Sequence, residues 1–211
     1  HVRSRRQRQM CIRDSSLVMR EFIVYSATAS TAPVIKDLKS AGRIDILLHS
    51  IISALFASNE MRSDVKLHLM LMGPPNSPRH ITLQYHEDNT ISKKDMKKLI
   101  EMCLRKCKPG MTREVHPGVF VDDKKIEEVV EDSKKDNKTV FVLDAYGEQM
   151  KELVKERGNF KNPVFILGDH AGFDKQTKKY LKKNTQRTSL GPQMYLTSQA
   201  ITILNYELDN L

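Results

Sequence analysis

No run of about 18 apolar residues occurs in this 211-residue chain, which excludes an ordinary membrane-spanning helix. Three cysteines are too few for a disulfide framework. Nine glycines in no fixed period exclude a collagen-like chain. Several enzyme signatures are missing too. No glycine-rich stretch ends in Gly-Lys-Ser/Thr, which argues against a P-loop nucleotidase. No Gly-x-Gly-x-x-Gly turn supports a dinucleotide site, and no Gly-x-Ser-x-Gly elbow supports a serine nucleophile. Asp169 and His170 are adjacent, but no second spaced cluster of His or Cys joins them, so no metal site is expected. Cys103 and Cys107, four apart on one helix face, are expected as buried or half-buried thiols.

What is present points to one folded domain. Hydrophobic residues make up 39% and charged residues 29%, enough to bury a core. The net charge of +9 favours a polyanionic partner. That charge is uneven: residues 1–18 hold five arginines and one aspartate, a net +4, leaving +5 for residues 19–211. The arginine-rich start lacks the apolar core of a signal peptide and shows no amphipathic period. Its stretch from Gln9 to Asp14 resembles translated sequencing-adapter DNA. Residues 1–18 are therefore read as a disordered or non-native extension, and residues 19–211 as the domain, with a cytoplasmic location expected.

Along the domain, Arg20 to Ser26 alternates and is rich in β-formers, so it predicts a strand. Gly42 opens an apolar-periodic helix to Ser58 (Ile44, Leu47, Leu48, Ile51, Ile52, Leu55), with Asn59 as its C-terminal cap. Val65–Met72 and Arg79–Tyr85 flank the turn Gly73–Pro78 and predict a hairpin. Ser92 caps a basic amphipathic helix to about Cys107, whose Lys93, Lys94, Lys97, Lys98, Arg105 and Lys106 offer a candidate RNA surface. Pro109-Gly110 and Pro117-Gly118 bracket a loop. A strand-then-helix rhythm follows: Val119–Val121 with Lys124–Lys134, Thr139–Leu143 with Glu148–Glu156, Val164–Leu167 with Asp174–Lys182, and Arg187–Leu190 with a last helix to about Leu208. That alternation implies crossover units and a parallel sheet. The apolar runs Val140–Leu143 and Val164–Leu167 suit central strands covered on both faces.

Ligands of open parallel sheets bind beyond the carboxyl ends of the strands. Three such ends carry glycine and polar residues: Leu143–Glu148, Leu167–Gly172 and Ser189–Pro192. Each alone is an ordinary strand-to-helix turn; three in succession suggest a shared site.

Several blocks carry a family resemblance. Met19-Arg-Glu-Phe-Ile-Val, Ala41-Gly42-Arg43-Ile44-Asp45-Ile46-Leu47, Met61-Arg62-Ser63-Asp64-Val65, Asn162-Pro-Val-Phe-Ile-Leu-Gly-Asp-His170 and Ser189-Leu190-Gly191-Pro192 with Ile201-Thr202-Ile203 resemble the archaeal TrmY family, tRNA pseudouridine N1-methyltransferases of the SPOUT class. The resemblance runs from Met19 to about Asp209 and is weakest over residues 86–135. It implies an α/β fold, a SPOUT-type parallel sheet flanked by helices, with a C-terminal trefoil knot, a rare exception to unthreaded connections. It implies S-adenosylmethionine as cofactor, tRNA as partner and a homodimer, with no membrane and no metal. Leu143, Gly168, Leu190 and Pro192 match the cofactor loops, and Gly191, Gln193, Met194 and Tyr195 follow by position. Ala200 stands where some members have cysteine, and Gly191 where serine is common.

N-methylation of pseudouridine needs an acceptor for the N1–H that uridine lacks. The candidate catalytic residues are Asp45 and Asp64, with Arg43 beside the first. Arg43 and Arg62 are candidates to hold RNA phosphates. All four also suit ordinary charge around helix ends. Two other functions stay open: a same-fold enzyme acting on ribosomal RNA, and an RNA-binding relative without catalysis.

Overall fold

A computed structural model describes residues 19–89, 92–155 and 162–210. The arginine-rich extension and Glu156 lie outside the described residues. The chain runs through β1 (Arg20–Ser26), α1 (Ile44–Leu55), a short hairpin of β2 (Phe56–Ala57) and β3 (Glu60–Met61), then β4 (Val65–Leu71) and β5 (Arg79–Gln84). Next come α2 (Met96–Lys106), β6 (Arg113–His116), β7 (Val119–Asp122) and α3 (Ile126–Lys135). The last part is β8 (Val140–Gln149), α4 (Met150–Lys155), β9 (Val164–Gly168), α5 (Lys175–Asn184), β10 (Gln186–Ser189) and α6 (Thr197–Asp209).

Eight strands form one sheet in the order β10-β8-β9-β1-β4-β5-β7-β6. The first five run parallel to their neighbours; β5, β7 and β6 are antiparallel. The central strands are apolar on both faces because both are covered. On one face Phe22, Val24, Leu67, Leu69 and Phe165 pack with α1, α2 and α6. On the other, Ile23, Tyr25, Met70, Val142 and Ile166 pack with α3 and α5. Period-two alternation divides neighbouring residues between the two cores. Each fully buried side chain of this size contributes about 1.5–3 kcal/mol.

Three expectations need correction. The helix opening near Gly42 stops at Leu55, three residues short of Ser58. Phe56 leaves it in extended backbone with its N–H on the Ile52 carbonyl, and Asn59 sits in the β2–β3 turn instead of capping it. The bracketed loop contains β6, whose Arg-Glu-Val-His sequence has too little apolar pattern to announce a strand. Through Gly118, at φ +75°, β6 doubles back on β7, so Val119–Val121 joins an antiparallel ladder and not a parallel crossover.

Candidate active site

The three cofactor-loop segments converge at the carboxyl ends of the parallel strands. The first is a bulge inside β8, not a strand end. The β10 ladder pairs Arg187 with Val142 and then Thr188 with Glu148, so residues 143–147 loop out of register. The Asp144 carboxylate accepts the Tyr146 N–H at 2.9 Å and shapes this bulge. The third segment follows β10, where Ser189 Oγ accepts the Gly191 N–H at 3.1 Å. Together they enclose a cavity of about 210 Å³ lined by Leu143, Ala145, Leu190, Gly191, Pro192, Gln193, Met194, Tyr195 and Ala200. The residues present fit a nucleoside cofactor: an apolar slot of Leu143, Ala145, Leu190 and Ala200, edged by irregular main chain.

Gly168 does not line that cavity. A Cβ there would lie 2.9 Å from Gly172 Cα, so this glycine lets the second loop fold back on itself. Its carbonyl accepts the Thr197 hydroxyl at 2.9 Å, tying the second loop to the start of α6. Gly191 adopts φ +109°, a backbone conformation that a side chain strains. A serine at this position would sit there at a cost.

A second cavity, of about 610 Å³, adjoins the first and shares Met194 and Tyr195 with it. Arg43, Asp45, His49, Asp169 and His170 also line it. The chain reaches it through Gly42 at φ +74° and Arg43 at φ +61°. A Cβ on Gly42 would fall 1.8 Å from the Thr28 carbonyl oxygen, so only glycine lets the loop close on the segment that follows β1. Arg43 then clamps Asp45, Nε to Oδ1 and Nη2 to Oδ2, both at 2.9 Å. The Arg43 guanidinium holds the Asp45 carboxyl below the usual carboxylate range. Asp169 is buried, accepting the Ser26 hydroxyl at 2.5 Å and the Ala171 N–H at 2.9 Å. Sequence reasoning set Asp169 and His170 aside as a poor metal pair and did not single out His49. His49 lies one helical turn beyond Asp45, and that spacing was the available signal.

Asp64 and Arg62 are elsewhere. Both precede β4, at the amino end of the parallel strands, whereas the loops lie at the carboxyl end. A seven-residue strand spans about 23 Å, too far for Asp64 to act on a methyl group at the loops of the same protomer. Asp64 is buried and ion-paired with the fully buried Arg20 at 2.9 Å. Arg62 bridges Asp64 and Asp209, and Arg20 also holds Asp209 at 2.8 Å. These two blocks of sequence fasten β1, β4 and α6 together. In the basic stretch before and along α2, Lys93 is engaged by the Ser58 carbonyl and lies over the Phe56 ring.

A polar chain crosses the opposite sheet face. His68 Nδ1 meets His80 Nε2 at 2.8 Å, His80 Nδ1 meets Asp122 at 2.8 Å, and His68 Nε2 meets Glu21 at 3.3 Å. Among the described residues no group of three or more His, Cys, Asp or Glu is arranged to hold a metal ion.

Comparison with known proteins places these features. The model of a family described as "Putative SAM-dependent RNA methyltransferase" matches residues 19–211. The tRNA (pseudouridine(54)-N(1))-methyltransferase of Thermococcus kodakarensis is 32% identical over 203 residues, covering 92% of this chain and 100% of that one. Its counterpart in Methanococcoides burtonii is 31% identical over 197 residues, covering 90% and 96%. Among solved structures, Archaeoglobus fulgidus Nep1 bound to S-adenosylhomocysteine superposes with a TM-score of 0.65 over 91% of this chain and 98% of that one. At 13% identity that likeness is one of fold. The chain belongs to the family of SAM-dependent RNA methyltransferases that includes these tRNA (pseudouridine(54)-N(1))-methyltransferases.

Proposed function

We propose that this protein transfers a methyl group from S-adenosylmethionine to N1 of a pseudouridine in the T-loop of tRNA. The observation that carries this reading is the shared wall of Met194 and Tyr195, which joins the cofactor slot to the pocket of Arg43 and Asp45. S-adenosylmethionine would sit in the slot, next to the pocket of Arg43 and Asp45 across that shared wall. Leu143 and Leu190–Tyr195 hold the cofactor, and Gly168 shapes the second loop behind them.

Bound S-adenosylmethionine supplies a methyl group on a sulfonium. The pocket of Arg43 and Asp45 would hold the base beside the cofactor slot; positioning of this kind lowers a barrier by several kcal/mol. Asp45, kept ionised by Arg43, accepts the N1–H. With the cofactor bound, the Asp45 carboxylate would take up the N1 proton that N1 gives up on accepting the methyl group. The exposed part of Arg43 is free to meet a phosphate of the same nucleotide.

The protein acts as a homodimer in the cytoplasm in this reading. Exposed Met194, Leu196 and Tyr206 at and near α6 support a second copy. Ile201, Leu204 and Leu208 are spent on its own core. The return of α6 from edge strand β10 to α1, with Thr197 tied to Gly168, supports a trefoil-knotted path. Among the described residues no helix is long and apolar enough to cross a membrane.

The test is the Asp45→Asn variant. Its S-adenosylmethionine affinity by calorimetry is expected to stay within twofold of the parent, while labelled-methyl transfer to pseudouridine-containing tRNA falls at least a hundredfold. Equal transfer by parent and variant would remove Asp45 from the chemistry, and a parent that binds the cofactor but methylates no RNA would favour the binding-only relative.

A further inference from the structure

Two segments of residues 19–211 are strongly basic, residues 93–108 and residues 174–187, each with a net +5. Asp174 to Arg187 holds five lysines, one arginine and one aspartate. The segment is α5 with its flanks, and Lys175, Lys178, Lys179, Lys182, Lys183 and Arg187 are all exposed. Thr177 and Leu181 alone are its buried side chains, so the helix rests on the sheet by a narrow stripe.

Among the described residues none of these lysines, nor Arg187, is ion-paired with a carboxylate. On the neighbouring α3, Lys134 pairs with Glu131 and Lys135 with Asp132, and Asp132 also takes Lys124. On α5 no carboxylate is interleaved. The one acid of the segment, Asp174, is occupied as the helix cap, accepting the N–H groups of Gln176 and Thr177 and the hydroxyls of Tyr25 and Thr177. Tyr180 leans the other way, its hydroxyl on Glu131. An array of like charges held on one face costs self-repulsion, which a bound polyanion relieves.

The placement is as telling as the charge. α5 leaves the second loop, whose Asp169 and His170 line the pocket of Arg43 and Asp45. Arg187 is then the second residue of β10, which delivers Ser189 and the third loop. Lysines recur at each turn, about 5.4 Å apart along the axis, in an array that begins just after the second loop. The basic stretch of α2 differs in that Asp95 and Glu101 interrupt it and its Lys93 is engaged by the Ser58 carbonyl.

We infer that the outer face of α5, with Arg187, is the surface that docks the phosphate backbone of the substrate RNA and leads it to the pocket. Sequence-independent phosphate contacts of this kind set affinity and register, not base choice. The inference rests on the proposed RNA substrate, and its test separates the two.

The variant is K178Q/K179Q/K182Q/K183Q, because glutamine keeps helix propensity close to that of lysine. The control is K134Q/K135Q on acid-balanced α3. The probe is a tRNA carrying pseudouridine in its T-loop, titrated between 50 and 300 mM KCl. Each phosphate contact contributes about 0.7–0.9 to the slope of log affinity against log salt. The α5 variant is expected to bind at least tenfold more weakly at 100 mM KCl, with a slope reduced by about 2–3. Its S-adenosylmethionine affinity is expected to be unchanged, and the methylation defect to lie in KM. An affinity and slope equal to those of the parent and control overturn the inference while the proposed reaction stands. A parent that shows the salt-dependent binding, lost in the α5 variant, but transfers no methyl group overturns the reaction and leaves the surface intact.

Discussion

Arg20 has no exposed surface, yet it carries a full charge and meets Asp64 and Asp209 together. Removing one member of such a cluster leaves the other charge buried, which costs about 3–5 kcal/mol. Asp64→Ala is therefore expected to lower the urea midpoint sharply while leaving methyl transfer in the folded fraction intact. A stable but inactive variant would return Asp64 to the chemistry. The His68 pair makes a second residue-level prediction. Burial pushes His68 down to about 4. Burial also pushes Glu21 up, but bonds from His68 and Lys138 outweigh it and hold the carboxyl at about 2. Between about pH 6.5 and 4 the unfolded chain takes up a proton at residue 68 that the folded chain resists, so stability falls as pH falls. Glu21 acts in the same direction: its contribution is complete above its unfolded value near 4.5 and is lost toward 2. Acidification from pH 7 to 4 is expected to cost on the order of 2–3 kcal/mol through His68, read by urea unfolding at each pH. His68→Phe should flatten that fall; an unaltered slope would show that another group governs it.

At the scale of elements, the β8 bulge decides whether the loops meet. Gly147 brings the chain back into register beside β10, and a Cβ there would lie 2.6 Å from the main chain of Thr188. Backbone cannot yield as a side-chain tip can. Gly147→Ala is expected to cost about 1–3 kcal/mol and to weaken S-adenosylmethionine binding at least tenfold, measured by calorimetry. Binding at parental strength would mean that the bulge does not shape the slot. This element also marks where the sequence stopped being legible. The apolar run Val140–Leu143 announced a buried strand, and β8 does begin there. Nothing in Asp144–Gln149 announced that pairing resumes after a five-residue excursion, because that depends on where β10 lies. β6 was invisible for a related reason: Arg-Glu-Val-His has one apolar residue and pairs only because β7 is beside it. The strands β1, β4, β5 and β9 were readable because burial on one or both faces wrote itself into their alternation or their apolar runs.

Across the whole molecule, sheet order brings together residues that the sequence separates widely. Arg43 and Asp45 meet Asp169 and Tyr195 because β1 and β9 are neighbours and α6 returns toward α1. The blocks around Arg43 and Asp64 looked alike in sequence, each an arginine two residues before an aspartate; strand direction sent one to the carboxyl end and the other to the amino end. No local pattern separates those outcomes. Residues 19–211 contain every part of this account. A chain starting at Met19 is expected to keep the melting temperature within about 2 °C and the cofactor affinity of the full chain, and a large loss in either would give the first 18 residues a structural role. The central claim is that Asp45 recognises and accepts the N1–H of pseudouridine. Uridine offers no hydrogen there for Asp45 to accept, and a hydrogen-bonding site can discriminate by roughly 10⁴–10⁵ on that basis. The direct measurement is labelled-methyl incorporation into two T-loop stem-loops that differ only in pseudouridine against uridine at one position. The account predicts methylation of the pseudouridine stem-loop and none detectable on the uridine one; equal labelling of both, or labelling of neither by cofactor-bound protein, would contradict it.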